Sequence, residues 1–171
     1  MNGTFLTDFK KKTGVFNIYF ANQCTTFNNA SVLPEIGYKT NKRLTNLIFS
    51  SSDLSSIIKD LNPNKAHGHD NISIRMIQIC GDSIILPLKM IFESAIRLNH
   101  FPDSWKKGNI IPVHKKESKI LVKNYRPISL LPIFGKIFEK IIYNKLFKYL
   151  QENKFLCDNQ SGFRSGDSSI S

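Results

Sequence analysis

The residues with the clearest chemical potential are basic, and they cluster in one short stretch. Residues 106–126 carry seven lysines and arginines and one acid, a net charge of +6 in a chain whose total is +11. The seven are Lys106, Lys107, Lys115, Lys116, Lys119, Lys123 and Arg126. Cations at this density, interleaved with apolar residues, could hold the phosphates of a nucleic acid or a nucleotide. A solvated loop and strand surface is the plainer interpretation of such a run.

Other kinds of chemistry have no candidate residues. The sequence contains no CxxC, HExxH or GxxxxGK[ST] motif, which argues against a structural zinc site and a phosphate-binding loop of that type. His67 and His69 flank a glycine, and a solvated turn is the default interpretation there. The thirteen acids include no Asp-Asp or Asp-x-Asp pair that could hold Mg²⁺ for nucleotidyl transfer. The residues alone therefore predict a basic, helix-rich α+β domain that handles a polyanion.

The apolar pattern predicts the elements that would present the basic stretch. Helical spacing covers residues 52–61, 72–80, 83–98 and 133–151, and we expect the apolar stripe of the last helix to face the core. Short apolar runs near residues 110–113 and 125–130 predict two strands joined by a basic connection. The spacing of residues 4–27 is roughly helical with Gly14 interrupting it, and residues 28–52 resemble a long connection.

Length and composition set the scale of the protein and its surroundings. A chain of 171 residues, 41% of them hydrophobic, is long enough for one domain with a real core. No apolar run approaches the roughly 18–20 residues of a membrane span, and the N-terminus lacks the layout of a signal peptide. Three widely spaced cysteines favour a reducing compartment over a disulfide framework. We therefore expect an intracellular protein, nuclear or cytoplasmic, that is not secreted and has no membrane partner.

Four blocks of sequence resemble the reverse transcriptases of non-LTR, LINE-type retrotransposons of the jockey and CR1-like groups. The blocks follow one another in the order found in that family. They are residues 63–73 (PNKAHGHDNIS), 101–116 (FPDSWKKGNIIPVHKK), 124–140 (NYRPISLLPIFGKIFEK) and 160–168 (QSGFRSGDS).

The resemblance implies a fold and a division of the chain. The fold would be α+β and helix-rich with a short antiparallel strand pair, the fingers and start-of-palm portion of a right-hand polymerase. Residues 1–52 would form an N-terminal helical or linker region. Residues 53–171 would form a partial reverse transcriptase domain.

The resemblance also implies site residues and partners. Lys115 and Arg126 would contact the triphosphate of the incoming deoxynucleotide, where a guanidinium can form a fork that an ammonium cannot. Gln160, Gly162 and Arg164 would lie near the template strand. The partners would be an RNA template, a DNA primer and a deoxynucleotide triphosphate, with no small-molecule cofactor.

The sequence departs from the family at the catalytic centre. The family's palm carries an aspartate in one motif and an aromatic-x-Asp-Asp in a later one, and neither occurs here. Mg²⁺ serves the complete family enzyme, but we expect this fragment to bind none, and no catalytic residue is assigned to it. The chain is thus interpreted as a truncated RNA-directed DNA polymerase domain, inactive alone. A non-enzymatic basic nucleic-acid-binding module and an inactive retroelement relic remain as alternatives.

Overall fold

A computed structural model describes residues 5–24 and 41–156 of the chain. In these residues there are five α-helices and one sheet of two antiparallel strands. The helices are α1 (Phe9–Cys24), α2 (Ser51–Asp60), α3 (Ile74–Cys80), α4 (Ile85–Arg97) and α5 (Ile133–Glu152). The strands are β1 (Asn109–His114) and β2 (Tyr125–Leu130). The predicted helix-rich α+β composition and antiparallel strand pair are confirmed.

Helix α1 continues through Gly14, and the predicted interruption there is wrong. A mid-helix glycine costs only about 0.5–1 kcal/mol relative to alanine, which does not break a helix of 16 residues. Phe20 is its one buried side chain.

A capping box fixes the start of α2. The Ser50 hydroxyl accepts a hydrogen bond from the Asp53 backbone N–H at 3.1 Å, and the Asp53 carboxylate accepts one from the Ser50 N–H at 2.9 Å. The helix ends at Asp60, because Leu61 is extended and Pro63 follows. Its far end is tied to α3 by the Gln78 amide, which donates to the carbonyls of Ile58 and Leu61 at 3.1 and 3.0 Å.

The core lies where α2 packs against α3, α4 and the first half of α5. Phe92 of α4 is fully buried, and its ring contacts those of Trp105 and Phe138 edge-on or tilted. Phe101 completes this aromatic cluster, whose ring centroids lie 4.9 to 5.9 Å apart. The remaining buried side chains of the core are aliphatic apart from Phe49.

Only the first half of α5 behaves as the apolar stripe predicted. Ile137 and Ile141 are buried, but Leu146 is 42% exposed. Lys145 lies opposite Asp53, in the first turn of α2, so the later turns of α5 extend past the end of that helix. The expectation that the whole stripe faces the core is therefore wrong beyond Ile142.

The strand pair forms a ribbon in which Val113 faces Arg126 and Pro112 faces Pro127. The ladder continues one step beyond β1, since the Lys115 N–H donates to the Asn124 carbonyl at 2.8 Å. Antiparallel pairs alternate between hydrogen-bonded and non-hydrogen-bonded positions. The facing prolines fall at a non-hydrogen-bonded position, where neither needs a donor across the ribbon.

The turn between α2 and α3 docks closely against the start of α5. A Cβ atom on Gly68 would lie 2.6 Å from the backbone nitrogen of Pro132 and 2.7 Å from the carbonyl carbon of Leu131. Backbone atoms cannot give way as a flexible side chain can, so only glycine fits. The block at residues 63–73 thus has a packing role in the described structure.

Candidate nucleic-acid interface

Both faces of the ribbon are exposed over most of its length, and the face that carries Arg126 also carries aliphatic side chains. Strand alternation places Ile111, Val113 and Ile128 on the same face as Arg126. The three aliphatic side chains are 43 to 45% exposed, and Arg126 is exposed as well. This face is called the open face below, and it carries Arg126 of the basic stretch.

The two predicted nucleotide-binding residues lie diagonally to each other on the open face. Arg126 faces Val113 across the ribbon, and Lys115 is two residues beyond Val113 on the same side of the ladder. Diagonal neighbours in an antiparallel pair have Cβ atoms about 7–8 Å apart, which long basic side chains easily span. Both residues are exposed. One anion could therefore contact both.

Most of the charge in the stretch is not neutralised within the described structure. Lys106 pairs with Asp103 at 2.7 Å, and this hydrogen bond lowers the pKa of the Asp103 carboxyl below its usual 3.8. The other six basic residues of the stretch form no ion pair with any residue in the described ranges. Their charge is available to a ligand.

A buried amide holds the connection between the strands. Asn124 is 7% exposed, and its side chain donates to the Ser118 carbonyl at 2.8 Å. The Tyr125 hydroxyl donates to the Lys119 carbonyl at 2.9 Å. These two hydrogen bonds fix the path of the residues that carry Lys115 and Lys116.

The opposite face of the ribbon is covered at the same end. The Tyr125 ring packs edge-on against His114 at 5.3 Å and against Phe16 of α1 at 4.9 Å. Helix α1 therefore lies against the face that does not carry Arg126. At the end of the ribbon nearest the lysines, α1 thus supports the face opposite Arg126, while the open face points to solvent.

The structure brings together one of the two predicted residue groups. Lys115 and Arg126 share the open face, while their role stays a prediction. Gln160, Gly162 and Arg164 lie outside the described residues, so their predicted place near the template also stays a prediction. Sequence reasoning assigned no role to Asn124, although it opens the family-like block at residues 124–140, because asparagine in a polar connection is usually exposed.

The described residues show no arrangement suited to a metal ion or a membrane span. Among them, no group of three or more His, Cys, Asp or Glu side chains could hold a metal. Nothing in this part of the chain fits a Mg²⁺ site of the polymerase kind. In the same ranges, no helix is long and apolar enough to cross a bilayer.

Comparison with known proteins shows similarity to the RNA-directed DNA polymerases of transposable elements. The chain is 36% identical over 113 residues to the RNA-directed DNA polymerase from mobile element jockey of Drosophila melanogaster. It is 34% identical over 119 residues to the probable RNA-directed DNA polymerase from transposon BS, and 32% over 123 residues to that from transposon X-element, both of the same species. No protein-family model matches the chain.

These matches cover a large part of the chain and a small part of each relative. They include 66 to 71% of this chain but only 12 to 14% of the relatives' own length. The resemblance to reverse transcriptases of non-LTR retrotransposons is confirmed, because several of their RNA-directed DNA polymerases are 32 to 36% identical to the matched part of this chain.

Proposed function

We propose that this chain forms a fingers portion of a non-LTR retrotransposon reverse transcriptase and binds the incoming nucleotide on its ribbon. Lys115 and Arg126 hold the triphosphate, and Gln160, Gly162 and Arg164 lie along the RNA template. The observation that carries the proposal is that Lys115 and Arg126 share the open face and have no acidic partner in the described structure. The similarity to RNA-directed DNA polymerases supports it.

The chemistry of nucleotide addition explains why such a face is useful. A triphosphate must be held in line with the attacking group, and catalysis depends mainly on positioning and on stabilising its negative charge. The lysine ammonium is a mobile point charge, whereas the arginine guanidinium is a planar fork that can donate two hydrogen bonds to one phosphate. The two groups therefore contribute differently to holding the triphosphate. Arg126 sits on a strand and Lys115 at its end, so the ribbon backbone sets the separation of the two groups.

In this proposal residues 1–171 contribute binding rather than metal chemistry. The sequence contains no aromatic-x-Asp-Asp and no Asp-x-Asp, while two-metal nucleotidyl transfer depends on convergent carboxylates. We therefore expect no primer extension when the purified chain receives Mg²⁺, a primer–template duplex and all deoxynucleotides. Templated extension in that assay would refute this part of the proposal.

The binding role is tested by titrating the full chain with a fluorescent deoxynucleoside triphosphate and with single-stranded RNA. Lys115→Ala and Arg126→Ala should each weaken nucleotide binding roughly tenfold, since each removes a charged hydrogen-bond donor. Lys59→Ala and Arg97→Ala are matched controls, because both residues are exposed cations away from the ribbon. Equal losses of affinity in the controls would show that only net charge matters.

The Arg126→Lys variant separates a triphosphate site from a general basic surface. It keeps the charge and loses the fork, so we expect weaker nucleotide binding and nearly unchanged RNA binding. The opposite pattern, with Lys115→Ala and Arg126→Ala weakening RNA but not nucleotide binding, would assign the chain to a basic RNA-binding module instead.

A further inference from the structure

The connection between β1 and β2, residues 115–123, is here called the basic loop. It carries Lys115, Lys116, Lys119 and Lys123 and a single acid, Glu117. We infer that Asn124 is a positioning residue that sets the basic loop in its binding geometry before any ligand arrives. This inference rests on the proposed function of the ribbon and extends it, because the lysines of the basic loop would also neutralise phosphates of a single-stranded RNA beside the nucleotide. Asn124 does not itself contact either ligand.

Asn124 ties the basic loop at three points. Its side-chain amide donates to the Ser118 carbonyl at 2.8 Å, in the middle of the loop. Its own carbonyl accepts from the Lys115 N–H at 2.8 Å, where the loop begins. Its backbone N–H donates to the Leu121 carbonyl at 3.1 Å, near the end of the loop. One buried residue therefore sets the start, middle and end of the segment.

The amide is suited to this task because it is almost fully withdrawn from water. Asn124 is the one polar residue with a buried side chain in the described ranges. A buried donor without a partner carries its full desolvation penalty, so the bond to Ser118 is strongly favoured over an open loop. The Tyr125 hydroxyl adds a second, exposed tie to the Lys119 carbonyl.

The hydrogen bonds of Asn124 and Tyr125 oppose the electrostatic repulsion among the lysines of the basic loop. Four lysines on nine residues repel one another, and in a free loop they would spread apart and sample many arrangements. Glu117, with a φ of 68°, takes up the left-handed conformation that lets the chain turn at this point. A loop already held in one arrangement loses less conformational entropy on binding a polyanion, which raises its affinity.

Gln78 provides a matched control for this role. Its side-chain amide is partly buried and donates to two backbone carbonyls, those of Ile58 and Leu61, at the junction of α2 and α3. Removing it takes away the same kind of bond from the fold and none from the basic loop. A purely structural effect should lower the melting temperature in both variants and leave the salt slope of binding unchanged in both.

The experiment measures binding of the full chain to a fluorescent single-stranded RNA by anisotropy over a series of salt concentrations, alongside thermal unfolding. Asn124→Ala should weaken binding about tenfold, the effect of removing one hydrogen bond. Its log–log salt slope should become shallower by about 0.7 for each phosphate that the loop no longer neutralises. Tyr125→Phe should move both quantities the same way by less, and Gln78→Ala should leave the slope unchanged.

Each outcome decides the question. An unchanged slope in Asn124→Ala, with a fall in melting temperature like that of Gln78→Ala, would make Asn124 structural and overturn the inference. If Asn124→Ala does not fold, Tyr125→Phe decides, and wild-type affinity and slope there overturn it equally. If Lys115→Ala and Arg126→Ala bind RNA and nucleotide like the wild type, it is the proposed function that fails, whatever Asn124 does.

Discussion

The helical core and the ribbon differ in burial and in charge. In the core, Phe92, Leu54 and Ile137 are fully buried, and apolar contact accounts for their packing. In the ribbon, every side chain of the two strands is exposed or half-exposed, and the adjoining residues carry much of the net charge. Stability and polyanion binding are therefore located in different segments of the chain. Variants of one region should leave the property of the other intact.

The largest loss of stability should come from the centre of the core. Phe92→Ala removes a fully buried ring that packs against the rings of Phe49, Trp105 and Phe138, and should lower the free energy of unfolding by about 3–5 kcal/mol. Ile111→Ala on the open face should cost less than about 1 kcal/mol. Urea denaturation measures both. Similar changes for the two variants would erase the distinction between the regions.

A smaller loss should come from the turn that docks on α5. Gly68→Ala places a Cβ atom 2.6 Å from the Pro132 nitrogen, and overpacking of this kind typically costs about 1–3 kcal/mol. Gly14→Ala is the control, because a Cβ there meets nothing within 4 Å and the helix gains about 0.5–1 kcal/mol. Denaturation of both should give changes of opposite sign. A neutral Gly68→Ala would mean that the turn is not docked as described.

The link between α2 and α5 should contribute less still, and should depend on pH. The Ser50 backbone N–H, and then Lys145 at 3.0 Å, lower the pKa of Asp53 below its usual 3.8. A lowered carboxyl pKa stabilises the fold above the unfolded value and loses that effect as pH falls through the folded value. Since the Asp53 side chain is 41% exposed, solvent screening keeps the effect of Lys145→Ala under about 1 kcal/mol at neutral pH.

Comparing unfolding at neutral pH with unfolding well below pH 3.8 checks this sign. The difference between wild type and Lys145→Ala should shrink in acid as Asp53 becomes protonated. Lys148→Ala is the control, because its pair with Glu152 is longer, at 3.7 Å, and more exposed. A difference that grows in acid would contradict the described ion pair.

The smallest effect on stability should come from the ribbon itself. The double variant Lys115→Ala/Arg126→Ala should unfold within about 0.5 kcal/mol of the wild type, since both side chains are exposed. Inorganic tripolyphosphate should raise the melting temperature of the wild type more than that of the double variant, because a ligand stabilises the state it binds. Equal rises in melting temperature for the two proteins would mean that tripolyphosphate binds at a site other than Lys115 and Arg126.

Local patterns in the sequence predict most of the elements. Helices α4 and α5 follow apolar residues at helical spacing, and their observed bounds lie within a few residues of the predicted ones. Strand β2 matches its predicted range, because Asn124 and Pro132 bracket an extended apolar run. The pattern predicts the start of α2 near Ser52, whereas the capping box puts the cap at Ser50.

Features that depend on long-range contact were not predictable. No local signal shows that Phe16 packs on Tyr125, more than a hundred residues later in the chain, or that α5 extends past its partner helix at Leu146. The burial of Asn124 is of the same kind, because it depends on the path of the basic loop, whose Ser118 carbonyl accepts a hydrogen bond from the Asn124 amide. For the candidate site, the residue types indicated which side chains carry charge, and only the register showed that two of them share a face.

The facing prolines at positions 112 and 127 have a consequence for how the molecule meets its own copies. Both strands of a two-stranded sheet are edges, and an edge with free N–H groups invites another chain to add a strand. At a non-hydrogen-bonded pair the backbone groups point outward, so each proline removes a donor from the centre of its edge. The ribbon thus presents exposed aliphatic side chains beside its cations with one donor fewer at the centre of each edge, which weakens it as a template for aggregation.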